Sequence, residues 1–374
     1  MKLIYLYTNL NWYRTELFRS ISKLMDCHIY ILNGYEVGYQ SIEYEPEYQD
    51  LNIDFLSPEQ SQFKSLVNIL EEEDFDAIVV PSMNDGFYLK LTTRLSHYFS
   101  KRGKTVLYFW EYWPMEKGSY SFSKWAKQEI RHFFTRINRN SISYYITPSI
   151  NTYSFYQRMN IPSRKLIRCP NVSRVAIQRE GVVRDIRSEL GVVENEKVIL
   201  YFGRIEEYKG IHELIRAFKK LNQRDCHLLI CGPGEENIAK EIEGQKNIHA
   251  IGGVRPELRT QYYHMADLFV LPNTYKGKVE PWGLTVNEAM QFGLPVICSN
   301  ATGSAVDLVF PGVNGFIVDA LKLEEELTFY MRKILSDDRF AKELGNNSKQ
   351  IIEEYTFDHM ARSFYVAVEK GQVN

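Results

Sequence analysis

Val198-Ile199-Leu200-Tyr201-Phe202-Gly203-Arg204-Ile205-Glu206-Glu207-Tyr208-Lys209-Gly210 runs straight into Ile211, Leu214, Ile215, Phe218 and Leu221. The first five residues are apolar or aromatic without alternation, which suits a parallel strand covered on both faces. The spacing that follows, i, i+3, i+4, i+7, predicts the apolar stripe of a helix. Strand, glycine-bearing turn and helix make one βα unit, and the same alternation extends both ways. Downstream, residues 228–231, 248–251, 268–271 and 296–299 read as further strands, with a helix over about 256–266 carrying Pro256 in its first turn. Residues 323–370 keep helical patterning with no strand between. Upstream, short apolar runs at 3–7, 28–32, 77–80, 105–110, 144–147 and 166–169 repeat the pattern before a polar, arginine-bearing stretch from 171 to 196. Two doubly wound α/β domains in tandem are expected, and 374 residues suits two domains that each bury a core.

Composition agrees. With 44% apolar, 14% aromatic and 25% charged residues, disorder, collagen and coiled coil are excluded. Five cysteines (Cys27, Cys169, Cys226, Cys231, Cys298) lack C-x-x-C spacing and fall mostly in apolar runs, so they read as reduced and structural. The N-terminal apolar run is too short for a signal peptide, and no run approaches a membrane span. A cytoplasmic protein is expected. Charge is segregated despite a net −2: residues 36–76 carry twelve acids against one base, and 101–184 carry sixteen bases against four acids. Such blocks either neutralise one another within a domain or make a one-sided field.

Several chemistries lack their motifs. The first βα turn, Thr8-Asn9-Leu10-Asn11-Trp12, has no G-x-G-x-x-G, and no P-loop is present. The histidines form no H-x-x-x-H pair, and there is no G-x-S-x-G elbow. Asp74-Phe75-Asp76 has the form of a metal-diphosphate D-x-D, but it ends an acidic helical block more simply. Nucleic-acid binding has no motif behind it.

The turn opened by Gly203-Arg204 and closed by Lys209-Gly210 is different, because it puts two cations and two glycines at the carboxyl edge of the sheet, where open α/β sheets bind ligands. A guanidinium fork and an ammonium suit phosphate oxygens. A solvated charged turn would read the same way. Farther on, Glu280-Pro281-Trp282-Gly283-Leu284-Thr285-Val286-Asn287-Glu288 sets two carboxylates around a helix start, whose unpaired N–H groups favour an anion. A phosphate flanked by two hydroxyl acceptors is what a nucleotide sugar requires. For either acid alone, a cap or an exposed helical residue is the plain alternative.

Together these segments, with Cys231-Gly232-Pro233-Gly234, Gly293-Leu294-Pro295-Val296-Ile297 and Gly312-Val313-Asn314-Gly315, resemble the retaining glycosyltransferases of family 4, also called group 1, which have the GT-B fold. The first domain matches more loosely, at 13–18 and at 169–172. The resemblance implies an acceptor-binding domain over 1–171, a donor-binding domain over 172–356, a cleft between them and a final helix, 357–374, returning to the first. It implies that Arg204 and Lys209 bind the donor diphosphate, that the backbone of Gly283, Leu284 and Thr285 beside Trp282 supports phosphate or sugar, and that Glu288 binds ribose and Glu280 the transferred sugar. Gly203, Gly232, Val254 and Arg255 would lie along the nucleotide. The implied donor is a nucleotide sugar, UDP-linked ahead of GDP-linked, and the acceptor a glycan or lipid-linked hydroxyl. Neither metal nor other cofactor is implied. A non-catalytic nucleotide-sugar-binding subunit or a nucleotide-sugar epimerase would use the same scaffold.

Two departures shape the acceptor side. Many relatives carry a glycine pair where this chain has Asn9 to Trp12, and many place a histidine where it reads Phe109-Trp110-Glu111-Tyr112-Trp113. Asn11, Trp110, Glu111 and Trp113 are therefore the acceptor-side candidates, with an aromatic core corner as the alternative. Residues 124–139 combine bases with Trp125, Ile130, Phe133 and Phe134, a composition shared by helices that lie on anionic membranes and by helices that pack on a sheet.

Overall fold

The computed structural model describes residues 1–8, 10, 12–33, 48–83, 86–114, 121–175, 186–255 and 258–373. It divides into two compact units, one from Met1 to Asn171 that resumes at Tyr355, the other Val172–Glu354.

The first unit is built from β1 (Lys2–Tyr7), α1 (Trp12–Ser22), β2 (Asp26–Ile31), β3 (Ile53–Phe55), α2 (Phe63–Glu71), β4 (Ala77–Val80), α3 (Gly86–Ser100), β5 (Thr105–Phe109), α4 (Phe122–Asn138), β6 (Tyr144–Thr147), α5 (Ile150–Arg158) and β7 (Leu166–Arg168). Its strands lie in the order β3-β2-β1-β4-β5-β6-β7 with parallel pairing throughout. Strands β4, β5 and β6 are buried along their whole length, as their unbroken apolar runs predict. The acids ahead of β4 sit at the amino edge, where Glu73 meets Lys2 at 2.6 Å and Glu71 meets Arg102 at 3.2 Å. Asp76 there accepts the Lys2 backbone N–H at 2.7 Å, so the D-x-D lies at the edge opposite the ligand-binding one.

The second unit holds α6 (Ile186–Glu189), β8 (Lys197–Phe202), α7 (Ile211–Leu221), β9 (Cys226–Cys231), α8 (Ala239–Ile242), β10 (Ile248–Gly252), α9 (Arg259–Met265), β11 (Leu268–Leu271), α10 (Leu284–Gln291), β12 (Val296–Ser299), α11 (Ala305–Leu308), β13 (Gly315–Val318), α12 (Leu323–Leu335) and α13 (Asp338–Glu353). Its parallel sheet runs β10-β9-β8-β11-β12-β13, so the order reverses between β8 and β11 and leaves a crevice at their carboxyl ends. Helix α7 buries Ile211, Leu214, Ile215, Phe218 and Leu221, the stripe the spacing predicts, and each such side chain contributes roughly 1.5–3 kcal/mol when fully covered. It stops at Asn222, whose φ of 51° is left-handed. The last helix, α14 (Phe357–Val373), packs within the first unit, where Phe364 lies 5.7 Å from the Tyr5 ring and 5.6 Å from that of Phe109.

Edge strands β3 and β13 escape the sequence reading, and α9 is shorter than the expected 256–266, whose first two residues lie outside the described ones. All five cysteines are free and buried, and burial raises each thiol's pKa, that of Cys169 to about 12. No described helix is long and apolar enough to cross a membrane.

Candidate active site

The crevice of the second unit is made by the turn after β8 and the loop after β11. Tyr201, on β8, donates to the Arg204 carbonyl at 2.7 Å, and Ile205 N–H donates to Pro233 O at 2.9 Å, fixing the turn against the one after β9. These turns cross at Gly232, whose φ is 149° and where a side chain would overlap the Gly203 carbonyl. Gly210, at φ 69°, lies against the Pro272 carbonyl in the same way and lets Thr274 N–H reach Tyr208 O at 2.7 Å. Only glycine permits either approach.

That frame presents the cations. Lys209 is 8% exposed, and its ammonium is ion-paired with the Glu280 carboxylate from the opposite loop. Burial alone would lower the Lys209 pKa, but the adjacent Glu280 outweighs it and raises the value above the ordinary one. Arg204 pairs with Glu206 and reaches the Tyr208 hydroxyl at 3.3 Å. Glu206 also takes Lys278 at 3.2 Å, while the Lys209 and Lys278 ammoniums lie 5.0 and 5.3 Å from the Tyr208 ring. The cations expected to meet phosphate are thus held by protein carboxylates, which an incoming dianion would have to replace.

Glu280 is positioned by a parallel bridge to Thr302, with Gly303 N–H donating to its carbonyl at 2.8 Å. Gly283 precedes α10 in a left-handed conformation, and Leu284 and Thr285 open the helix, partly exposed. The Trp282 ring points inward, 1% exposed, and its Nε1 donates to Asn287 Oδ1 at 2.8 Å. Trp282 is therefore a packing residue of this loop, with almost no surface left for a ligand. Trp282→Phe is expected to lower unfolding free energy by about 2 kcal/mol through that lost bond, as read by urea denaturation. Val254 is buried after β10 and Arg255 beside it is exposed, while Gly232 N–H donates to Gly252 O at 2.7 Å.

Glu288 lies inside α10 and faces the interior of the second unit. It is 1% exposed and accepts from Ser173 Oγ (2.9 Å), from the Arg259 guanidinium (3.1 and 3.3 Å) and from Tyr263 Oη (2.8 Å). Burial and then the Glu288 charge hold the Tyr263 pKa well above its usual value, so it stays a donor. Sequence reasoning missed Ser173, Arg259 and Tyr263; the legible signal was that Arg259 and Tyr263, four apart on one helix, share a face.

In the first unit Glu111 meets Arg14, a residue not singled out as functional. Arg14 is 2% exposed, lies under the Phe109 ring at 5.0 Å, donates to Asn171 Oδ1 at 3.1 Å and pairs with Glu111. Burial opposes its charge, yet the electron-rich surroundings of Tyr7 and Glu111 raise its pKa. Its signal was a cation inside the apolar stripe Leu17, Phe18, Ile21 of α1. Trp110 stacks on Tyr112 at 4.2 Å, and Trp113 is half-buried. Asn11 lies outside the described residues. Among those residues no three His, Cys, Asp or Glu side chains cluster to hold a metal.

Two parallel sheets of reversing strand order, the second with cations and carboxylates at its switch point, define a doubly wound α/β protein with a charged crevice in its second unit. Residues 182–351 match the family of glycosyl transferases group 1, so the resemblance holds over nearly all of the second unit. An uncharacterized glycosyltransferase of Methanocaldococcus jannaschii is 31% identical over 185 residues, 48% of this chain and 46% of that protein. The lipopolysaccharide 1,2-N-acetylglucosaminetransferase of Salmonella typhimurium is 24% identical over 234 residues, 59% of this chain and 60% of that one. The chain thus spans about half the length of the curated relatives it matches. Anabaena HepE, solved in complex with UDP, aligns over 100% of both chains at 19% identity with a TM-score of 0.74, which identifies the fold as GT-B.

Proposed function

We propose that this protein transfers a sugar, with retention of anomeric configuration and without a metal, from a nucleotide sugar to a hydroxyl of a glycan or lipid-linked acceptor. UDP is the favoured carrier, since HepE was solved with it. Surface polysaccharide or glycolipid synthesis at the cytoplasmic face is the setting such an acceptor suggests. The observation that carries the reading is the buried Lys209, with Arg204 beside it, at the β8/β11 switch point of a unit matching group 1 transferases.

The chemistry follows from charge. As the anomeric carbon–phosphate oxygen bond breaks, the sugar gains oxocarbenium character and the diphosphate gains negative charge. Fixed cations aimed at the diphosphate lower that barrier, the work a divalent metal does elsewhere. The acceptor hydroxyl attacks from the leaving-group face and its proton passes to the departing phosphate oxygen, so no protein nucleophile is required. Glu280, once Lys209 turns to phosphate, is free to accept sugar hydroxyls.

The test is a thermal-shift panel of UDP, GDP, ADP, CDP and their sugar conjugates in EDTA, followed by diphosphate release. At 100 times its Kd a ligand stabilises the fold by about 2.7 kcal/mol, or roughly 5 to 10 °C for a unit of this size. A shift with one base, unchanged by EDTA, and release of that diphosphate are expected. Activity lost in EDTA and restored by Mg²⁺ would overturn the metal-free part, and no shift with any nucleotide would overturn the whole.

A further inference from the structure

Glu206 holds two cations at once. It pairs with Arg204 of its own turn and takes the Lys278 ammonium at 3.2 Å from the loop after β11, 72 positions away in sequence. The two bases therefore meet on one carboxylate at the β8/β11 switch point. The loop sorts its lysines to bring this about. Gly277, at φ 73°, turns the chain through the left-handed region between Lys276 and Lys278. Lys276 goes to Glu213 of α7 at 2.9 Å, while Lys278 goes to Glu206.

Tyr208, 7% exposed, ties the cluster together. The Lys209 and Lys278 ammoniums lie 5.0 and 5.3 Å from its ring, and its hydroxyl accepts from Arg204 at 3.3 Å. Burial raises the Tyr208 pKa even against the Lys209 charge, so the phenol stays neutral among three cations. Charge then favours a role for all three. The diphosphate of a nucleotide sugar is a dianion, and it takes a further charge as the sugar leaves. Arg204 and Lys209 against Glu280 leave a charge of +1, and Lys278 brings it to +2, which matches the dianion once Glu206 releases its two partners. A carboxylate accepts from these nitrogens much as one edge of a phosphate does, so Glu206 and a diphosphate compete for them. Release is easy on the Lys278 side, since that side chain is 61% exposed and exposed pairs contribute little.

We propose that Lys278 is a third diphosphate-binding residue of the donor site, and that Glu206 is the internal anion which Lys278 and Arg204 exchange for the diphosphate. The proposal rests on the transfer reading above and adds to it two residues with opposite effects on donor affinity.

Calorimetric titration of the whole chain with UDP, GDP, ADP and CDP, at low and physiological salt, tests it. For whichever nucleotide the wild type binds, Lys278→Gln should lower affinity about three- to fivefold and Glu206→Gln should raise it by a similar factor. Both effects should shrink at the higher salt. Lys276→Gln removes the same charge from the same loop and should leave affinity unchanged, which separates a local contact from the general field. If Lys278 and Glu206 only brace the loop, both substitutions lower affinity together. That result, or an unchanged affinity in Lys278→Gln, overturns the proposal and leaves the transfer reading standing. Failure of the wild type to bind any of the four nucleotides overturns the transfer reading, and this proposal with it.

Discussion

Lys209→Ala is expected to lower turnover of a nucleotide-sugar donor by about 10² to 10³, the scale seen when one preorganised donor to a developing anion is removed. The same substitution leaves the Glu280 carboxylate, 15% exposed, without its cation, and removing one partner of a buried pair costs about 3 kcal/mol or more. Lower turnover alone would therefore mix a catalytic loss with a folding loss. Lys209→Met combined with Glu280→Gln separates them, because two neutral side chains of similar volume relieve the stranded charge. Urea denaturation should show the pair close to the wild type, while diphosphate release stays depressed. Recovery of turnover together with stability would mean that Lys209 serves only to hold Glu280. Arg204 makes a milder companion test, since its side chain is 39% exposed and its loss strands no buried charge.

The parts legible in the sequence are those whose reason is local. Strands β4, β5, β8 and β11 are covered on both faces, so an unbroken apolar run sufficed to place them. Strand β3 has three residues, with Asp54 exposed between two half-buried neighbours, and no periodicity distinguishes it from a loop. Strand β13 opens on Gly315 at the sheet edge, and its four residues, Gly315 among them, make too short an apolar run to stand out. The glycine-framed turn after β8 was legible for the same local reason, since Gly203, Arg204, Lys209 and Gly210 lie within eight residues. What pairs with them was not, because Glu280 is 71 positions away. Arg14 was visible as a charge in an apolar stripe, but the carboxylate that explains it comes from 97 residues later. The orientation of α4 was open for a related reason: two polar residues and a histidine made the better inward face only because Thr93 and Tyr112 wait there.

Glu288→Ala is expected to cost about 3 to 5 kcal/mol in unfolding free energy, since it takes the anion from a buried cluster and leaves the Arg259 charge in place. Whether Glu288 also holds ribose turns on the capacity of its two oxygens. A carboxylate has about four acceptor positions, and four contacts reach Glu288 already: Ser173 and Arg259 on Oε1, Arg259 and Tyr263 on Oε2. A ribose hydroxyl can enter only by replacing one of them. Ser173 is the neutral donor whose loss strands no charge, so Ser173→Ala should leave stability within about 1 kcal/mol and nucleotide affinity unchanged or higher. Glu288→Gln keeps the volume and one acceptor but turns an amide N–H₂ toward Arg259 or Tyr263, which should lower both stability and, by about tenfold, affinity for the nucleoside diphosphate. Calorimetric titration of folded protein separates the two effects. A Gln variant that is less stable yet binds nucleotide like the wild type would make Glu288 an internal anchor for α9 and α10, and the ribose would have to be held by the turns after β9 and β10 alone.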